Sequence, residues 1–108
     1  MELLMLKKMA EKIRIDTIKT IHHVHSGHPG GALSMVELLT VLYFDELKVD
    51  IEHPDLKDRD RFILSKGHGC TSLYATLMEK GFFSKQQLFT MRQYQSILQG
   101  HPDMKVTP

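Results

Sequence analysis

Apolar residues recur at three- and four-residue spacing along the first two dozen positions. Leu6, Met9, Ala10, Ile13, Thr17, Ile21 and Val24 form one stripe, while Lys7, Lys8, Glu11, Lys12, Arg14 and Lys19 occupy other faces. The spacing predicts a helix over 2–24. Ile15 and Ile18 fall outside the stripe and widen the apolar side, which predicts packing against more than one neighbour. The run Ser26-Gly27-His28-Pro29-Gly30-Gly31 ends this helix, because glycine suits a left-handed C-cap and proline keeps the residue before it extended. A second helix is predicted from Ser34, which is placed with Glu37 as a capping box. It continues through Val36, Leu38, Leu39, Val41, Leu42 and Tyr43 to about Leu47, and its nearly continuous apolar run predicts burial on several sides.

Residues 48–60 are acidic, contain Pro54 and read as a surface loop. Arg61-Phe62-Ile63-Leu64 is a short apolar run that reads as a buried strand, with Ser65-Lys66-Gly67-His68-Gly69 as the turn leaving it. A third helix is predicted from about Thr71 to Lys80, closed by Gly81. A fourth is predicted from Ser84, with Gln87 three residues on, to about Ser96. The tail from Gly100 to Pro108 reads as loop. A lone buried strand leaves backbone groups unpaired on both edges, at roughly 1–3 kcal/mol each. Strand, glycine-histidine turn and helix therefore look like part of a parallel sheet whose other strands are absent, and the chain looks incomplete.

Composition narrows the function classes. The chain has 108 residues, with 14 Lys plus Arg against 13 Asp plus Glu and a net charge of +1. No strong field gathers nucleic acid or anionic lipid, so neither is an expected partner. No apolar run approaches the roughly 20 residues of a membrane helix, and MELLMLKKMAEKIR lacks the pattern of a secretory signal. A single cysteine, Cys70, suits a reducing compartment, and the expected location is the cytoplasm. The seven histidines stand out.

Three of them lie in glycine-containing breaks: His28 in SGHPG, His68 in SKGHG and His101 in GHP. Glycine admits the close approach of a ligand, and an imidazole there can donate to a phosphate or exchange a proton near neutral pH. The plainer reading is that each caps a helix or bonds a carbonyl. A competing cluster is His22, His23, His25 and His28, in which His22 and His25 could share a helix face and hold zinc. A closed zinc site wants four ligands, however, and only one thiol is present. Cys70 reads as a small side chain packed at the start of a helix rather than a nucleophile. Asp58, Arg59, Asp60 and Arg61 read as a solvated face, or as one residue pinning the loop. No phosphate-binding glycine loop or dinucleotide fingerprint is present.

The ordered set SGHPGG (26–31), RDRFILSKGHG (59–69), LYATL (73–77) and GHPD (100–103) resembles the N-terminal part of the transketolase family. The resemblance runs from about Ile13 to Pro108. It implies an α/β fold: an N-terminal fragment, residues 1–108, of a thiamine-diphosphate-binding parallel-sheet domain, mainly helical as cut. It also implies a transferase that moves a two-carbon ketol unit from a ketose phosphate to an aldose phosphate, as in the pentose phosphate pathway. Thiamine diphosphate would carry the electrons while the protein positions it and manages protons. By the same resemblance His28 contacts the donor sugar and assists proton transfer, His68 reaches the cofactor diphosphate, and His101 stands near the substrate's first hydroxyl.

The family's Gly-Asp-Gly element and the Asn that hold Mg²⁺ or Ca²⁺, and its activating glutamate, are not in this sequence. The chain is therefore expected to be a fragment that stops before the metal motif, or one subunit of a split enzyme, and inactive alone. The implied partners are the rest of the enzyme or a companion subunit, in a homodimer or heterotetramer. Dihydroxyacetone synthase shares much of the pattern. The rival reading is a non-catalytic helical interaction module or a histidine-based metal binder.

Overall fold

The computed structural model describes residues 2–25, 27–55, 57–93, 96–99 and 102. Its first element is the long helix α1, Leu3–Val24. The predicted stripe faces inward: Ala10, Ile13 and Thr17 are buried, and Leu6, Met9, Ile21 and Val24 are half-buried. Thr17 and Thr20 are tolerated inside because each hydroxyl donates to the carbonyl four residues back, at 2.7 Å. Ile15 and Ile18 are about half exposed, at 53% and 52%, so the apolar side is narrower than the sequence suggests. The left-handed cap falls on His25 (φ 54°) rather than on a glycine, and Gly27 follows at φ 142°.

The next stretch is broken where one helix is predicted. Helix α2, Pro29–Leu33, starts early because proline presets the first helical turn. Ser34 does not cap the following helix; its hydroxyl donates to the Gly31 carbonyl at 3.1 Å. Helix α3, Val36–Val41, therefore has Met35 before it with no side-chain cap, and a π-helical turn follows at Leu42–Glu46. Burial on several sides does not hold either, since Leu38 is 68% exposed. Glu37 instead pairs with Arg14, tying α3 to α1, and the guanidinium holds the Glu37 carboxyl below its ordinary range.

Helix α4, Cys70–Lys80, is the centre of the molecule: every residue from Cys70 to Leu77 is buried. Its polar members are satisfied locally, Ser72 donating to Gly69 O at 3.1 Å and Thr76 to Ser72 O at 2.7 Å. Gly81, at φ 112°, ends it, and the amides of Gly81 and Phe82 both close onto Leu77 O. Cys70, Tyr74 and Ala75 of α4 join one buried cluster with Ile13, Val36, Leu88, Met91 and Leu98, and its Leu73 and Leu77 join a second with Met35, Leu39 and Tyr43. Helix α5 is capped as predicted, Ser84 Oγ accepting from Gln87 N at 3.1 Å, but it covers only Lys85–Leu88. Thr90 Oγ1 takes the Gln87 carbonyl at 2.6 Å and Arg92 sits at φ 61°, which ends the helix well before Ser96.

The predicted buried strand is not formed. Residues 61–64 form neither helix nor ladder, and the described residues contain no strand. Phe62 packs edge-on against Tyr43 with ring centroids 5.9 Å apart, and Leu64 is half-buried, while Ile63 is 85% exposed. A strand is defined by its partners, and the described residues supply none. The charged run does pin the loop: Asp60 Oδ2 accepts from Lys48 N at 2.7 Å, and Asp60 N donates to Lys48 O at 2.8 Å. Among the described residues no helix is long and apolar enough to cross a membrane.

Candidate functional site

His28 stands immediately before α2, and His68 lies in a single 3₁₀ turn, Gly67–Gly69, that leads into α4. Forty residues separate them in sequence, yet their rings meet edge to face, with centroids 5.7 Å apart and planes at 83°. Both are exposed. Gly31 lies against the His68 ring of this pair. A Cβ on that residue would stand 2.7 Å from His68 Cδ2 and 3.0 Å from Nε2, so the ring packs directly on Gly31 and a larger residue there would displace it. Gly69 approaches the same residue, and a Cβ on it would meet Gly31 O at 3.1 Å. The glycines of GHPGG and KGHG are thus contact surfaces for each other.

Two further side chains join the pair. Lys66 Nζ donates to Ser34 Oγ at 2.7 Å, and Ser34 Oγ donates to Gly31 O. Sequence reasoning assigned Ser34 to a helix cap and Lys66 to a turn; the signal that could have linked them is the lysine two residues before His68. Two imidazoles in edge contact and the ammonium on the same turn as His68 are groups able to donate to an anion. The diphosphate that the sequence resemblance implies has the chemistry to accept from them.

The other candidates do not converge. His101 lies outside the described residues. The ring centroids of His22 and His25 approach to 6.0 Å, but His23 stacks on Phe89 at 5.0 Å and His28 turns to His68. The four-histidine metal cluster is therefore not assembled. Among the described residues the one three-ligand grouping is Asp50, Glu52 and His53, exposed on the loop after the π-helical turn. Asp50 accepts there from Glu52 N and His53, which lowers its carboxyl pKa. Cys70 is buried as the first residue of α4, and burial pushes its thiol pKa up, the opposite of what a nucleophile needs. A cavity of about 510 Å³, lined by Tyr43, Phe62, Leu64, Leu73, Leu77 and Pro102 among others, lies beside the 61–64 segment and includes neither His28 nor His68.

Comparison with known proteins identifies the family of the chain. The family model described as "Transketolase, thiamine diphosphate binding domain" matches residues 5–108. One of the subunits of apulose-4-phosphate transketolase from Phocaeicola vulgatus is 42% identical over 101 residues, which cover 94% of this chain and 36% of that one. Human transketolase is 38% identical over 97 residues, covering 90% of this chain and 16% of the human protein. The solved transketolase of Leishmania mexicana superposes with a TM-score of 0.90 at 38% identity, over 95% of this chain and 16% of that one. The chain spans about a third of the Phocaeicola relative's length and about a sixth of the human and Leishmania enzymes. It belongs to the transketolase family, in the thiamine diphosphate binding domain.

Proposed function

We propose that this chain supplies His28, His68 and His101 to a site that transfers a two-carbon ketol unit from a ketose phosphate to an aldose phosphate. The observation that carries the reading is the His28–His68 pair, assembled across forty residues with the His68 ring packed directly on Gly31. Residues 1–108 are then part of a thiamine-diphosphate-binding α/β domain, in which the 61–64 segment joins a parallel sheet. Thiamine diphosphate, when bound, supplies the electron sink for the carbon–carbon bond change. His68 holds the diphosphate by donating a ring N–H. His28 donates to or accepts from the sugar hydroxyls, with a ring suited to proton transfer near neutral pH. His101 serves the substrate's first hydroxyl.

No Gly-Asp-Gly element stands in the sequence, so the ligands of a Mg²⁺ or Ca²⁺ ion come from elsewhere in the enzyme. The Phocaeicola relative is one subunit of a transketolase named for a sugar phosphate. Its division supports a companion subunit here, in a cytoplasmic homodimer or heterotetramer. A histidine-based metal binder is disfavoured because His22, His23, His25 and His28 do not converge, and a non-catalytic helical interaction module because of the family match.

The test is transfer from xylulose 5-phosphate to ribose 5-phosphate by the chain assembled with the rest of its enzyme. His28→Ala is expected to lower kcat by about 10²–10⁴-fold with cofactor affinity retained. His68→Ala is expected to weaken cofactor binding about tenfold, and His22→Ala to change neither. The chain alone is expected to show no turnover. Wild-type kinetics and affinity in both the His28 and His68 variants would refute the reading.

A further inference from the structure

Lys66 directly precedes the turn that carries His68, and it is held at both ends. Its backbone carbonyl accepts from Gly69 N at 2.9 Å, closing the turn. Its ammonium reaches back 32 positions in sequence to Ser34 Oγ, at 2.7 Å. Ser34 passes that contact on, donating to Gly31 O at 3.1 Å. Gly31 is the residue that the His68 ring covers and that Gly69 abuts. One peptide is thus gripped by Ser34, packed by Gly69 and overlain by His68, and Lys66 links the first of these to the last.

We infer that Lys66 is a positioning residue: through Ser34 it ties the His68 turn to α2 and so sets the spacing of the His28–His68 pair. The inference rests on the proposed reading of that pair as a ligand site, and it deepens that reading by naming what holds the geometry. His28 and His68 are exposed, so core packing does not lock their rings. A link from an ammonium to a hydroxyl is directional and charge-assisted, and it acts on the backbone beneath the ring rather than on the ring itself.

Two substitutions separate this role from that of a simple third cation. Ser34→Ala cuts the link and leaves the ammonium; Lys66→Met removes both; Lys66→Arg keeps a charged donor. The probe is inorganic pyrophosphate, titrated into the 108-residue chain and followed on imidazole-labelled histidine resonances. The second readout is the nuclear Overhauser contact between the His28 and His68 rings. The contact is expected in the wild type and in Lys66→Arg, and is expected to be lost in both Ser34→Ala and Lys66→Met. Pyrophosphate affinity is expected to fall about tenfold in both of the latter, the scale of one hydrogen bond to a charged group. If Ser34→Ala keeps the contact and the wild-type affinity while Lys66→Met loses affinity, Lys66 acts only as a cation and the inference is overturned. Absence of the contact in the wild type overturns it as well. If the contact responds as expected but pyrophosphate does not bind the wild type, the link stands and the proposed diphosphate role of His68 fails.

Discussion

His25 holds the left-handed turn that ends α1, at φ 54°, a conformation that costs an L-residue with a Cβ about 1 kcal/mol or more and glycine nothing. His25→Gly is therefore expected to raise stability by about 0.5–1 kcal/mol, after allowing for glycine's freer unfolded chain. Thermal melting of the two chains checks this, and a loss of stability would mean that the imidazole makes up for the strained turn. The same scale shows what single residues announce. His28 and His68 were legible because each sits among glycines. Lys66 and Ser34 were not, because Ser34 with Glu37 satisfies a local capping rule and the partner that overrides it lies 32 positions away. Local grammar was obeyed on paper and displaced by a tertiary contact.

Between elements, the packing of α1 on α4 contains a pair of carboxyl groups. Asp16 is buried, its Oδ1 lies 3.6 Å from Lys85 Nζ of α5, and its Oδ2 has no hydrogen-bond donor. Glu79 of α4 stands beside Asp16, and a proton on its carboxyl would let it donate to that carboxylate. That hydrogen bond, then burial, then the charge of Asp16 push the Glu79 pKa up to about 7, against the opposing pull of Lys12 and Lys85. Between its ordinary value near 4.5 and about 7, the folded chain holds a proton that the unfolded chain releases. The contribution of this group to stability is therefore full below about pH 4.5 and is lost as pH rises toward and through 7. Glu79→Gln keeps an N–H donor for Asp16 and is expected to flatten that part of the melting profile between pH 4.5 and 8. The histidines, common to both chains, cancel in the comparison, so an unchanged difference across the range would remove Glu79 as the titrating group. Helix α1 was legible from its periodicity, the end of α4 from Gly81, and the start of α5 from Ser84 with Gln87 three residues on. The stop of α5 at Leu88 was not, because it depends on Thr90 competing for a carbonyl and on Arg92 turning left-handed.

The largest departure from the sequence reading, the missing strand at 61–64, belongs to the scale of the whole molecule. The pattern of Phe62, Ile63 and Leu64 is that of a strand buried on both faces, yet Ile63 is 85% exposed and the segment joins no ladder. Periodicity reports the environment for which a segment is suited; the environment itself comes from neighbouring strands, which the described residues do not contain. This difference can be measured with one substitution in two contexts. In the 108-residue chain, Ile63→Lys replaces an exposed side chain and is expected to change stability by no more than about 0.5 kcal/mol. In the assembled enzyme, on the proposed parallel-sheet reading, the same lysine enters an apolar layer and is expected to cost several kcal/mol or to prevent assembly. Chemical denaturation of the chain alone, and co-purification with its partner or remainder, read the two outcomes. Severe destabilisation of the isolated chain would mean that Ile63 is already buried there. Tolerance in both contexts would mean that the segment never becomes a buried strand, and the sheet in the proposed fold would have to be built without it.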